Sequence, residues 1–250
     1  MIAAAGKILL LWSVPRARST AFFRMMIQRG DVVAVHEPFS TLAEHGAAEV
    51  AGRRVCTEQA VIDALTALPP HRRVFVKDTT DEEYPVVLAD PEFLRSRAHS
   101  AFLVRDPAET IPSYYAVNPR VRRDQIGFDH LERLFLRVRE LTGRTPLVID
   151  AADLVADPSG TAARYCADAG IAFVPAAMSW AAGDRPEWRA TGRWHLDVAR
   201  TTGFENRSPR HGVALDDVPH LRAYLDHHTP VYRRLRRHCP TGPIATAGRP

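Results

Sequence analysis

Lys7-Ile-Leu-Leu-Leu-Trp12 runs without a break into Ser13-Val-Pro-Arg-Ala-Arg-Ser-Thr20. An apolar run this short, with no polar alternation, reads as a strand buried on both faces. The polar loop behind it leads into a helix over residues 21–29, with Phe22 and Met26 on one face and Gly30 as its stop. A strand that turns tightly into a helix aims backbone N–H groups and a positive dipole end at whatever occupies the loop. Arg16 and Arg18 add charge there, and Ser19 and Thr20 add hydroxyl donors, so the loop reads as an oxyanion site. The competing reading is an ordinary strand-to-helix turn with solvated arginines.

Four further apolar runs, at residues 31–35, 73–77, 100–104 and 145–149, are separated by helical patterns. A helix over 128–141 carries the stripe Leu131, Leu134, Phe135 and Val138. Others read over 160–169, closed by Gly170, and over the basic stretch 218–239. Alternating strand and helix give an α/β class with about five strands. At 250 residues the chain fits one domain, taken as 1–238, with a Pro-, Gly- and Thr-containing tail over 239–250 expected to be mobile.

Net charge is +4 with 46% hydrophobic residues, which suits a globular protein with an anionic small-molecule ligand and gives no reason to expect nucleic acid as partner. Two lysines, Lys7 and Lys77, stand against 31 arginines, which singles out Lys77. Cys56, Cys166 and Cys239 are odd in number and far apart, so neither a disulfide framework nor a zinc site is expected. The N-terminal apolar run is too short to span a bilayer and has no basic leader, so the expectation is a cytoplasmic protein without membrane attachment.

The run Ser100-Ala-Phe-Leu-Val104 ends in Arg105-Asp-Pro-Ala-Glu-Thr-Ile-Pro-Ser113-Tyr-Tyr115. Arg105 leaves the strand's carboxyl end and Ser113 lies in the following helix, so both can meet one phosphate. The first loop lacks the glycines and lysine of a Walker A sequence, which argues against ATP chemistry.

Pro15-Arg16-Ala17-Arg18-Ser19-Thr20 resembles the 5'-phosphosulfate loop of sulfotransferases that use PAPS (3'-phosphoadenosine 5'-phosphosulfate). Arg105-Asp106-Pro107 with Ser113-Tyr114-Tyr115 resembles their 3'-phosphate motif, and Asp153-Leu-Val-Ala-Asp-Pro158 resembles a third family segment. The resemblance covers about residues 7–170. It implies a P-loop-like parallel sheet with helices on both faces, PAPS as cosubstrate, PAP as product and no metal. By the same resemblance Pro15 to Thr20, Arg105 and Ser113 hold the nucleotide, and Arg16 replaces a lysine that many members place in the loop. An arginine there stabilises charge but gives up no proton.

Lys77 matches a lysine that cytosolic members place two residues before a catalytic histidine, and here that position is Thr79. Carbohydrate-type and bacterial members resemble the chain more closely, with a glutamate after the second strand. Glu37 is then the first choice of base, His36 the second and Asp78 the third. Arg193, in Arg189-Ala-Thr-Gly-Arg-Trp-His195, is expected to close over the 3'-phosphate; Arg122, Arg123 and the run 233–237 read as solvated faces. The acceptor is expected to be a small molecule lined by residues 39–54, 117–125 and 178–202, and a homodimer is possible in this frame. A nucleotide-dependent kinase and a catalytically silent PAP-binding module are the rival readings.

Overall fold

The structure is a computed structural model that describes residues 8–69, 72–195, 197–205 and 213–240, without the side chains of 189 and 190. Lys7, most of the expected tail and the Arg189 side chain therefore lie outside the described residues. The chain opens with β1 (Ile8–Ser13), α1 (Ser19–Gln28), β2 (Val32–His36) and α2 (Pro38–His45), then a hairpin of β3 (Ala48–Val50) and β4 (Arg53–Val55). Next come α3 (Glu58–Thr66), β5 (Arg73–Thr79), α4 (Pro85–Ala89), β6 (Ala98–Val104) and α5 (Pro107–Tyr115). Then follow α6 (Phe128–Thr142), β7 (Val148–Asp150), α7 (Ala151–Ala156), α8 (Pro158–Asp168) and, after several short 3-10 turns, α9 (Pro219–Arg236).

Five parallel strands form the central sheet in the order β2-β5-β1-β6-β7. All five expected strands are present. The largest differences are at β5, which extends two residues further to Thr79, at β6, which starts two residues earlier at Ala98, and at β7, which starts three residues later than the apolar run. The hairpin gave no sequence signal. Its turn, Ala51-Gly52, has φ of 48° and 85°, the mirror-image geometry that two-residue hairpins favour and that alanine seldom supplies.

Every residue of β1 is buried, because helices cover both sheet faces. Phe22 and Phe23 of α1 pack on Phe75 of β5 at 6.3 and 6.0 Å between ring centroids. On the other face Trp12 meets Phe39 of α2 at 5.8 Å and Phe102 meets Phe135 of α6 at 5.5 Å. Each of these buried rings contributes on the order of 2–3 kcal/mol through apolar area alone. The chain moves one way along the sheet from β1 to β2, through α1, and the other way from β6 to β7, through α6. Right-handed crossovers then put α1 and α6 on opposite faces and open a crevice at the strands' carboxyl ends.

The basic run near the C-terminus is not wholly solvated. Arg236 Nη1 donates to Asp150 Oδ2 at 2.6 Å and Tyr232 Oη donates to the same oxygen at 2.7 Å, which ties α9 to the end of β7. Among the described residues, no helix is long and apolar enough to cross a membrane.

Gly127, before α6, has φ +87°, and a Cβ there would lie 2.7 Å from the Thr80 carbonyl oxygen and 2.9 Å from Pro15 Cδ. Gly127→Ala is expected to cost about 2–4 kcal/mol, read as a lower urea midpoint. Gly143→Ala, at φ +65° with nothing within 4 Å, should cost only about 1 kcal/mol.

Candidate active site

The loop after β1 is held in an uncommon backbone shape. Arg16 and Arg18 have φ of 64° and 65°, and α1 starts with Arg18 as an N-cap that makes no side-chain cap. Non-glycine residues adopt this region only where neighbours over-determine it. Here Arg105 Nη1 donates to the Arg16 carbonyl at 2.9 Å and Val14 N donates to the Leu103 carbonyl at 3.2 Å. Ala17 is fully buried beneath the loop, in the core and outside the cavity wall, where the sequence had grouped it with the binding residues.

Arg16 is the hub of the basic side. Its Nε donates to Ser113 Oγ at 3.1 Å, its Nη1 donates to the Trp194 carbonyl at 2.7 Å, and its Nη2 lies 3.8 Å from Asp197 Oδ2. Arg105 is buried and grips Glu109 Oε2 with Nε and Nη2 at 2.8 and 2.6 Å. Burial, and secondarily the charge of Arg105, pull the Arg18 guanidinium below its ordinary pKa; burial does the same at Arg16. The two arginine motifs, 97 residues apart at Arg16 and Ser113, thus meet at one place.

Across the crevice, Lys77 Nζ and Glu37 Oε1 form a buried ion pair at the ends of β5 and β2. Glu37 has φ 46°, its N–H donates to the Lys77 carbonyl at 2.7 Å, and Pro38 starts α2 immediately after it. Glu37 Oε2 lies 3.6 Å from His36 Nδ1 and 4.0 Å from His195 Nε2. Both imidazoles are kept neutral by burial, His36 well below its ordinary pKa and His195 pushed down to about 2.

Two of the three base candidates do not face the cavity. His36 packs edge-on against Phe23 and His195, each at 4.8 Å between ring centroids, and stays outside the cavity wall. Asp78 points to the opposite sheet face from Lys77, as neighbours on a strand must. Its carboxylate accepts from the N–H groups of Phe39 at 2.8 Å, Ser40 at 3.1 Å and Thr79 at 2.9 Å, so it fastens the first turn of α2. Burial, then the Glu37 charge, raise its pKa well above the usual carboxylate range. Glu37 is the candidate that lines the cavity.

A 3-10 segment, Pro186–Trp194, and the residues after it close the crevice. His195 bonds Thr20 Oγ1 through Nδ1 at 3.0 Å and Thr191 Oγ1 through Nε2 at 3.1 Å. Arg193, expected over the phosphate, instead donates to Glu44 Oε1 at 2.6 Å and lies over the Trp194 ring, outside the cavity wall. The same stretch thus delivers Trp194 and His195 in its place. The cavity holds about 310 Å³. Of the segments expected to line the acceptor, 39–54 supplies Ser40 and Glu44, 178–202 supplies Thr191 to Thr201 in part, and 117–125 supplies nothing among the described residues. Asp81, which sequence reasoning passed over, lines it too, held by Thr79 Oγ1 at 2.8 Å and Tyr114 Oη at 3.3 Å.

The sulfotransferase domain family matches residues 7–236. The chain belongs to the sulfotransferase family. Its sheet resembles that of the sulfotransferase domain from the Synechococcus PCC 7002 olefin synthase, with a TM-score of 0.52, 17% identity and coverage of 89% of this chain and 95% of that one. Mouse sulfotransferase SULT7A1 complexed with PAP gives a TM-score of 0.51 at 14% identity, covering 95% and 90%. Identities this low speak for the fold alone. Two curated Arabidopsis thaliana relatives, branched-chain-amino-acid aminotransferase-like proteins 1 and 2, are 28% and 26% identical over 94% and 93% of this chain. This sulfotransferase chain spans 42% of the length of each.

Burial, with the Glu37 carboxylate adding to it, raises Asp81 to about 6 from an ordinary 3.8. Between those values the folded protein holds a proton that the unfolded chain has lost, so this group's contribution to stability falls as pH rises through that window. Asp81→Asn is therefore expected to stabilise the ligand-free protein at pH 7 by about 1–2 kcal/mol after solvent screening. The gain should vanish below about pH 4, where both forms are neutral. Thermal melts of the two proteins across pH 3.5–8 check this, and a pH-independent difference would contradict it.

Proposed function

We propose that this sulfotransferase moves the sulfuryl group of PAPS to a hydroxyl or amine of a small acceptor, with PAP as product. The observation that carries the reading is the meeting of the Arg16 loop with Arg105 and Ser113 on one wall of a cavity whose other wall holds the Glu37–Lys77 pair. Three guanidinium groups drawn together and partly desolvated repel one another, and a ligand with several anionic oxygens relieves that repulsion. PAPS has phosphate oxygens at two ends, which fits two separated basic motifs.

In this reading the left-handed loop and the hydroxyls of Ser19 and Thr20 hold the 5'-phosphosulfate end, and Arg105 with Ser113 holds the 3'-phosphate. Arg16 bridges the two and stabilises negative charge on the departing oxygen without donating a proton. Lys77 turns its ammonium to the sulfuryl oxygens, which frees the Glu37 carboxylate to take the acceptor's proton. Two neutral imidazoles beside Glu37 leave its charge unquenched. Thr79, in the place where cytosolic members carry histidine, orients Asp81 and takes no proton.

Calorimetric titration with PAP, with ATP and magnesium as comparison, tests the reading. Tight PAP binding weakened about 10–100-fold by Arg105→Ala is expected, since a buried charge-assisted contact is lost. Glu37→Gln should keep PAP affinity and lower kcat about 100-fold or more. A preference for ATP with magnesium would favour the kinase reading, and PAP binding without turnover on any acceptor the silent binding module.

A further inference from the structure

The cavity is divided electrically along the sheet. Over β1 and β6 stand Arg16, Arg18 and Arg105, with Asp197 3.8 Å from Arg16 and with Arg200 and Glu205 on the same wall, while over β2 and β5 stand Glu37, Glu44 and Asp81, with Lys77 as the cation among them. Glu37 is matched by Lys77 and Glu44 by Arg193. Among the described residues, Asp81 is matched by no cation: its Oδ1 accepts from Thr79 Oγ1 at 2.8 Å and Ser40 Oγ at 3.3 Å, and its Oδ2 from Tyr114 Oη at 3.3 Å. Hydroxyls orient a carboxylate without cancelling its charge. The ring of Tyr114, which bonds Asp81, meets that of Trp194 edge to face at 5.4 Å, and both residues line the cavity, with Arg193 over the Trp194 ring from outside its wall. A carboxylate fixed by three hydroxyls, one of them on an aromatic ring that packs against a second, is the set of groups that receives an organic cation.

We infer that Asp81, with Tyr114 and Trp194, is the seat for a positively charged group of the acceptor, so that the acceptor is a small hydroxylated amine. This rests on the sulfuryl-transfer reading of the same cavity. The ammonium is held at Asp81 and the hydroxyl is presented to Glu37. The acceptor oxygen forms a bond to sulfur as the bond from sulfur to the 5'-phosphate oxygen breaks. Its proton goes to Glu37 and the electron pair of the broken bond leaves with PAP. Once Lys77 attends the sulfuryl oxygens, Glu37 and Asp81 together face the acceptor, and an ammonium supplies the charge that Lys77 has withdrawn. A neutral acceptor leaves that half of the cavity negative, and an anionic one makes it worse. The elevated pKa of Asp81 in the ligand-free protein accords with a carboxylate that has no counter-ion.

Three phenols of similar shape test the inference: tyramine as cation, 4-ethylphenol as neutral probe and 3-(4-hydroxyphenyl)propionate as anion. Each is titrated into the protein alone and into the protein saturated with PAP, and each is assayed for sulfation with PAPS. Tyramine should be preferred to 4-ethylphenol by about tenfold or more, as for one gained charge-assisted contact, with the propionate weakest. Asp81→Asn should shrink that preference to within about twofold, and unchanged PAP affinity in the variant shows its fold intact. Normal PAP binding with no charge preference, or a preference that survives Asp81→Asn, overturns the seat and leaves sulfuryl transfer standing. An Asp81-dependent preference for tyramine in a protein that binds no PAP would uphold the seat and remove the transfer reading beneath it.

Discussion

The buried pair of Lys77 and Glu37 is the interaction on which the site's geometry depends. Lys77 is 1% exposed, and an ammonium taken that far out of water is tolerable only with an anion in contact. Register supplies it: His36 pairs with Lys77 across β2 and β5, and the chain then bends at Glu37 so that the carboxylate returns over the lysine. Removing either partner would strand a buried charge, at a cost of about 3–5 kcal/mol. The pair therefore fixes where β2 ends, where α2 begins and where the charge of the crevice sits.

Backbone strain follows the same outline. Among the described residues four that are not glycine have positive φ, and three of them, Arg16, Arg18 and Glu37, line the cavity. Each is a place where the chain leaves a strand's carboxyl end and must aim a charged side chain inward over a short distance. Glycine would relax the backbone there but carries no charge to aim. The strain is held by long-range contacts, Arg105 on the Arg16 carbonyl and the Glu37 N–H on Lys77. It is concentrated at the cavity, the kind of place where such conformations cluster.

Much of the fold and part of the candidate site were legible in the sequence, for reasons visible in particular residues. The strands announce themselves because helices on both faces bury them, and the loop at Arg16 and the motif at Arg105 announce themselves because strand, turn and helix are contiguous in the chain. Lys77 and Asp78 could have been separated by the two-residue period of a strand, which sends them to opposite faces. His36 and Glu37 could not, because the left-handed bend at Glu37 carries no sequence signature in a residue other than glycine or asparagine. His195 and Asp81 reach the cavity only through tertiary closure, by a 3-10 segment and by the residues just beyond β5. Arg193 drew attention by its charge, yet two residues along an irregular turn were enough to point it at Glu44.

The electrical division of the cavity also follows from topology. The first turn of α1 is left without a side-chain cap beside the arginines, so its positive dipole end adds to the basic half. The first turn of α2 opens on the acidic half and would be expected to soften it, but its N–H groups at Phe39 and Ser40 are taken by Asp78 from the far side of the sheet. That carboxylate absorbs the positive end of α2 before it reaches the cavity. Glu37, Glu44 and Asp81 are left to set the potential over β2 and β5, with Lys77 as their counterweight inside the cavity wall and Arg193 outside it. A single buried aspartate facing away from the ligand thus occupies the N–H groups of α2 and leaves the negative charge of that half to its own carboxylates.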